Sequence, residues 1–255
     1  MKIALFSDIH ANFPALQAVL ADIDSRNPDL IYCLGDLVGY APYPNEVINE
    51  IRKRKIPTIA GNYDEGIGST SDNCGCAYKA EEEKSNGAIS IAYTNQLIKP
   101  EERAYLKHLP RHFALDFEHN GEKYKFLMVH GSPRKINEYL FEDRDEKSLM
   151  RIMEFGHADI MAFGHTHKPY HRILQNTEGG TFRHAINIGS VGKPKDGDNR
   201  ACYVILDINP DTSMTNPDSV KVEFVRVAYD FESIAQAIET TILPNEYADM
   251  LRKAY

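Results

Sequence analysis

The amino-acid sequence predicts an α/β fold, and three observations carry that reading. Short apolar runs at 2–6, 30–34, 56–60, 124–129 and 159–163 have the length and composition of buried strands. Helical patterns, "PALQAVLADIDSR" and "PNEVINEIRKRK", separate the first three. Polar or glycine-bearing residues come directly after the runs. Strands alternating with helices in this way predict a largely parallel sheet.

The opening strand leads to a helix whose Pro14 stands in the first turn, where no amide is needed. The strand at 30–34 is followed by the second helix, and that helix by the run at 56–60. Residues 79–107 read as helix, with Pro100 dividing the segment because proline cannot supply the amide of a continuous helix. A strand at 124–129, a short helix at 147–156 and a strand at 159–163 come next. Beyond residue 167 the pattern changes to strands at 169–174, 182–188, 201–208 and 220–227, joined by Gly/Asn/Asp turns. Residues 230–254 return to helix.

With 255 residues, 42% of them hydrophobic, the chain is long enough for a substantial core, and no Pro/Ser/Gly-rich linker divides it. One domain over 1–255 is expected. A net charge of −8 argues against a nucleic-acid-binding surface. No apolar stretch approaches the ~20 residues of a membrane span. The start "MKIALFSDIH" is too short for a signal peptide, so cytoplasmic residence without membrane attachment is expected. Cys33 and Cys202 lie in apolar runs and read as core residues. Cys74 and Cys76 form "NCGC" in a polar stretch without the further ligands that a zinc site requires, and read as loop residues.

The functional signal lies in the residues at the end of each strand. "IALFSDIH" ends in Asp8 and His10, "IYCLGD" in Asp36 and "PTIAGN" in Asn62. "FLMVH" ends in His130, and "IMAFGHTH" in His165 and His167. Sites in open α/β sheets form outside the carboxyl ends of the strands. Any one of these residues reads more simply as a turn, cap or hydrogen-bonded group. Their coincidence at five strand ends points instead to a shared site of oxygen and nitrogen ligands. Such a set suits two cations, because one carboxylate can join metals roughly 3.5–4 Å apart. Neutral Asn and His ligands leave that site positive enough for phosphate.

These motifs, "D-I-H" at 8–10, "G-D-L-V-G" at 35–39, "G-N-Y-D" at 61–64, "H-G" at 130–131 and "G-H-T-H" at 164–167, resemble in content and order the calcineurin-like metallophosphoesterases. The stretch "INIGSVGKPKDGDNRACYVILDI" is similar to the next region in bacterial and archaeal members, the branch related to diadenosine tetraphosphatases and serine/threonine phosphatases. The resemblance implies two packed mixed β-sheets flanked by helices, a four-layer αββα sandwich. It implies two divalent ions (Mn, Fe, Zn, Ni or Co), one held by Asp8, His10 and His167, the other by Asn62, His130 and His165, with Asp36 bridging. It further implies a hydroxide between the metals that attacks phosphorus in a phosphomonoester or phosphodiester.

The sequence departs from the resemblance at Tyr63. Many members carry histidine there, as a proton donor oriented by the next residue, an acid, here Asp64. A phenol, with an ordinary pKa near ~10, is a poor donor at neutral pH, so Tyr63 is expected to pack beside the site. Asn12 reads as a phosphate contact or as a cap for the helix at Pro14, and Arg134 as a phosphate clamp or a loop residue. Lys193 and Arg200 flank a glycine-bearing turn with the same two readings. His108, His112, His119, His157, His171 and His184 join no constellation and are expected at structural or surface positions. A phosphoesterase is the leading expectation, and the rival is a catalytically weak scaffold of the same fold acting through protein binding. Retention of every ligand position favours the enzyme. Phosphorylated small molecules, nucleotides and phosphoproteins are all candidate substrates, selected by the loops 64–78, 131–146 and 192–200.

Overall fold

Strand β1 (Lys2–Phe6) pairs in parallel with β2 (Leu30–Cys33), and α1 (Phe13–Arg26) makes the crossover between them. The computed structural model describes residues 1–77, 80–119, 121–176 and 179–255. Asn12 begins α1 by accepting the Ala15 amide, and Asn27 ends it in a left-handed conformation. Helices α2 (Pro44–Arg54), α3 (Asn62–Gly68), α4 (Glu81–Leu97) and α5 (Pro100–Lys107) succeed one another. Next come β3 (His112–His119), β4 (Glu122–Val129), α6 (Glu146–Phe155), β5 (Ile160–Phe163), β6 (Tyr170–Gln175) and β7 (Phe182–Asn187). The chain closes with β8 (Ala201–Asp207), β9 (Lys221–Val227), α7 (Phe231–Glu239) and α8 (Glu246–Lys253).

The strands form two sheets, in the orders β2-β1-β8-β9 and β3-β4-β5-β7-β6. Alternation along each strand assigns its two faces. Ile3 and Leu5 of β1, with Val204 and Leu206 of β8, meet Phe126 and Met128 of β4, Ile160 of β5 and Ile186 of β7 between the sheets. Ala4, Phe6, Tyr203 and Ile205 point the other way, onto α1, α2, α7 and α8. Leu127, Val129, Met161 and Phe163 face α6 on the outside of the second sheet. The layers are therefore helix, sheet, sheet, helix, as the resemblance implied.

Several expectations change. The sheets are mixed rather than largely parallel: β1–β2, β4–β5 and β5–β7 run parallel, while β1–β8, β8–β9, β3–β4 and β6–β7 run antiparallel. The later strands, which lack intervening helices, return by turns and pair antiparallel. The run at 56–60 is not a ladder strand but a single bridge between Cys33 and Thr58, because Pro57 has no amide to continue the pairing. Helix α3 runs into the expected loop 64–78, through Gly68; Gly66 and Gly68 hide it from propensity. Strand β3 is absent from the expected elements, although its exposed and half-buried residues alternate strictly. The terminal helical stretch divides at Leu243–Pro244 into α7 and α8. Pro100 separates α4 from α5 as expected, while Tyr78 and Lys79 of the anticipated segments lie outside the described residues. No helix among the described residues is long and apolar enough to cross a membrane.

Phe126 is fully buried between the sheets. Phe126→Ala leaves a cavity where both sheets contribute side chains, and a stability loss of about 3–5 kcal/mol is expected in chemical denaturation. A loss below about 1 kcal/mol would contradict this packing.

Candidate metal centre

The carboxyl ends of β1, β2, β4 and β5 bring the polar residues just beyond them to one buried edge. Asp8, His10, Asp36, His165 and His167 all adopt positive φ, between 50° and 66°. Non-glycine residues in this region cost of order 1–3 kcal/mol each and persist only where the surroundings over-determine them. Here each loop must turn at once from its strand to aim a side chain at the same point. Glycine makes the close approaches possible: a Cβ on Gly61 would lie 2.1 Å from Asp36 Oδ1, and one on Gly164 2.3 Å from Asp8 Oδ2.

Two clusters result. Asp8, His10 and His167 form one; Asp36, His130 and His165 form the other. Asn62 joins the second through its Oδ1, 3.1 Å from His130 Nε2. Donation from Asn62 Nδ2 to the Cys74 carbonyl at 2.8 Å turns that oxygen toward the site. Asp36 Oδ2 lies 3.3 Å from His130 Nε2 and 3.6 Å from His10 Nε2, so a single oxygen touches both clusters. Its partner Oδ1 accepts the Tyr63 amide at 2.9 Å.

Backbone carbonyls fix the imidazole tautomers. His10 Nδ1 donates to Val38 O, His130 Nδ1 to Leu34 O and His167 Nδ1 to Lys193 O, at 3.0, 2.8 and 2.6 Å. Each Nε2 lone pair is thereby turned inward, and those of His10 and His167 stand only 3.2 Å apart. Such lone pairs repel unless a cation lies against both. Asp8 Oδ1 and His165 Nε2 are buried and have no hydrogen-bond partner among the described residues. Metal ligation would satisfy both the orphaned acceptors and the inward lone pairs, and the donor set, all oxygen and nitrogen, suits Mn, Fe, Zn, Ni or Co. The residues fit a pair of divalent ions.

The electrostatics agree. Burial raises the Asp8 and Asp36 carboxyls, yet His167 beside Asp8 and His130 beside Asp36 hold both below the usual range. Burial pulls His10 and His165 down to about 3, leaving them as neutral ligands. Burial also opposes the charged form of His130, but Asp36 overcomes it and pushes that imidazole up to about 10. With protons as the only counter-charge, His130 keeps one, and a divalent ion would take its place.

The residues beyond the ligands have defined partners. Asp64 is buried, accepting the Leu37 amide through Oδ1 and the Gly61 amide through Oδ2, both at 2.9 Å. It thus ties the Asn62 turn to the Asp36 loop. Burial and the neighbouring Asp36 push its carboxyl up to about 7. The Tyr63 ring packs 4.8 Å from Tyr40 and 5.4 Å from His10, in the core of the first sheet's helical side. Asn12 caps α1 and donates to Gly192 O and the Tyr229 hydroxyl, so its amide is committed to the scaffold. Arg134 pairs with Glu138 and lines a cavity that also reaches His130, and Arg200 pairs with Asp198. The histidines outside the motifs stay outside the site; His171 and His184 contact each other on the second sheet. Sequence reasoning missed Tyr139, whose ring lies 4.1 Å from His165, and Ser190, which donates to Asp8 O at 2.8 Å. It also missed Asn187, which donates to Gly164 O and Thr166 Oγ1 at 2.9 Å. Only tertiary contact gives these residues a role.

The profile of the calcineurin-like phosphoesterase superfamily domain matches residues 1–211. This chain belongs to that superfamily. An uncharacterised protein of Methanocaldococcus jannaschii is 35% identical over 98% of this chain and 96% of its own length. Among solved structures, a metallophosphoesterase from Sphaerobacter thermophilus matches with a TM-score of 0.73 and 27% identity, covering 100% of this chain and 99% of that one. A hypothetical protein from Pyrococcus horikoshii shares the fold at a TM-score of 0.77 and 24% identity, covering 100% and 98%. As a calcineurin-like phosphoesterase, the chain has the expected layers and two candidate metal-binding groups at the strand ends.

Two outcomes test the centre. Manganese at 100 times its dissociation constant should stabilise the fold by about 2.7 kcal/mol over chelator-treated protein, read as a rise in Tm. Identical melting with and without metal would remove the assignment. Gly61→Ala drives a methyl group into Asp36, and calorimetry should show metal affinity reduced by about tenfold or more.

Proposed function

We propose that this protein is a phosphoesterase dependent on two divalent metal ions, hydrolysing phosphomonoesters or phosphodiesters at the edge where β1, β2, β4 and β5 end. The observation that carries the reading is Asp36 Oδ2, one carboxylate oxygen placed between the two ligand clusters. Asp8, His10 and His167 would hold one ion, Asn62, His130 and His165 the other, with Asp36 shared. When bound, the ions supply Lewis-acid stabilisation of charge on phosphoryl oxygens and acidify water for attack on phosphorus.

The chain's own groups do the rest. Val38, Leu34 and Lys193 carbonyls keep the ligating imidazoles oriented, each with its Nε2 facing the site. Asp64 and the Tyr63 amide hold the Asp36 and Asn62 loops in fixed register, which keeps the site preorganised rather than assembled on binding. No proton for the leaving group comes from Asp64, whose oxygens both accept backbone amides. Tyr63 serves as packing, its ring held against Tyr40 and His10. Esters whose leaving groups depart as stable anions are therefore favoured. A purely scaffolding role gains no support, since every ligand position is retained in a converging geometry.

Asp36→Asn should lower turnover of an activated aryl phosphate more than replacement of any single terminal ligand, because it removes the charge that serves both clusters. Near-normal turnover with full metal occupancy would contradict the shared position. Tyr63→Phe should change kcat/KM by less than about threefold across a leaving-group series. A loss confined to the poorest leaving groups would instead make the phenol a proton donor.

A further inference from the structure

The segment 73–76 reaches from α3 to the loop after β4, and both of its cysteines are tied to the candidate ligand Asn62. Asn62 Nδ2 donates to the Cys74 carbonyl at 2.8 Å and to Cys76 Sγ at 3.5 Å. A primary amide nitrogen carries two N–H bonds, so this one segment takes both and sets the direction of Oδ1. Cys76 Sγ also lies 3.9 Å from the hydroxyl of Tyr40, whose ring packs edge-on to His10 at 4.8 Å. Cys74 is 5% exposed and seats its sulfur on Gly66 of α3, where a Cβ would stand 2.6 Å from Sγ. Between the cysteines, Gly75 adopts φ +73° and donates its amide to Asn73 Oδ1 at 2.7 Å. The Gly75 carbonyl accepts Asn137 Nδ2 at 2.8 Å, which latches the segment to the loop after β4. Both thiols are reduced, and Cys76 is the half-buried one.

We infer that Cys74 and Cys76 are an oxidation site that closes to a disulfide with hydrogen peroxide, and that closure loosens metal held through Asn62. The inference rests on the candidate metal centre and adds a means of regulating it. Cys76, nearer to solvent, reacts first. Its sulfur attacks one peroxide oxygen, the O–O bond breaks and water leaves, giving a sulfenic acid. The Cys74 sulfur then displaces that hydroxyl as a second water, and the S–S bond forms. The two thiols give up two electrons and two protons, and the peroxide takes up both. Cα atoms two positions apart are separated by no more than about 7 Å, at the edge of disulfide reach, and the intervening glycine lets the chain fold to meet it. The Cys74 and Gly75 carbonyls belong to the ring that closes. Cys76 Sγ must leave Asn62 and Tyr40, and the Cys74 carbonyl turns with its peptide. Asn62 Nδ2 thereby loses both acceptors, and its Oδ1 is no longer aimed at the ligands. The same closure turns the Gly75 carbonyl away from Asn137 and releases the latch. Cys33 and Cys202, at 0% and 1% exposure, are shielded from the oxidant.

The test uses the full chain, stripped of metal by chelator, treated with hydrogen peroxide and then quenched with catalase. Mass mapping after alkylation should place a disulfide between Cys74 and Cys76, and dithiothreitol should remove it. Calorimetric titration with manganese should show an affinity about tenfold lower after oxidation, restored on reduction. Cys76→Ser should give the same manganese affinity before and after peroxide, since no bridge forms. Cysteines left unbridged, or Cys76 carried to the sulfinic acid without a bridge, would overturn the site. So would a complete bridge that leaves manganese affinity unchanged, or a tenfold fall that persists in Cys76→Ser. The wild-type measurements decide the question by themselves if the serine variant does not fold. Absence of manganese binding by the reduced wild type would overturn the metal centre and the affinity effect together, while mass mapping judges the disulfide independently.

Discussion

Two buried carboxylates, Asp8 and Asp36, have to share one water-poor edge with His10, His130, His165 and His167. Coulomb repulsion between the carboxylates and the desolvation of both are tolerable only if positive charge lies between them. Much of the surrounding structure serves that requirement. The strand ends turn through left-handed residues to aim the side chains, and backbone carbonyls orient the rings. Without fixed tautomers the imidazoles could rotate to pair with one another, and the inward lone pairs would be lost.

Asp64 shows how the edge is held together. Its oxygens accept one amide from the Asp36 loop and one from the Asn62 turn, segments with no regular ladder between them. The interrupted pairing at Pro57 frees this part of the chain from the sheet and allows Asn62 to open a short helix. A continuous strand through residues 56–62 would keep alternating its side chains and leave no turn at the site. The irregularity is therefore what lets a fifth segment reach the ligands beside the loops after β1, β2, β4 and β5.

On the opposite flank, charge is supplied rather than neutralised. Lys193 and Lys195 lie just beyond the Ser190 turn, and Lys195 donates its amide to the His167 carbonyl at 3.2 Å. Burial, then Lys195, lower the His167 imidazole further and keep it a neutral ligand. The aromatic rings of Tyr40 and Tyr63 link this flank to the Asp36 loop. Gly39, at φ +91°, has no Cβ because one would meet the Tyr63 ring at 2.4 Å. A packed tyrosine at position 63 is thus part of a continuous aromatic layer behind the ligands.

The ligand residues were legible in the sequence because each stands at the end of an apolar run, and the carboxyl ends of strands in an α/β sheet share an edge. Pro100 marked the boundary between α4 and α5 because its effect is local. Mixed pairing was not legible: whether β8 enters beside β1 depends on which apolar faces meet, and the runs alone do not carry that choice. Strand β3 and helix α3 escaped for related reasons, one being half-exposed at a sheet edge and the other rich in glycine. The commitment of Asn12 to a cap, of Asp64 to two amides and of Lys193 to an aromatic seat beside Tyr40 was decided only in three dimensions. A side chain's role depends on which partners reach it first, and those partners lie in distant parts of the chain.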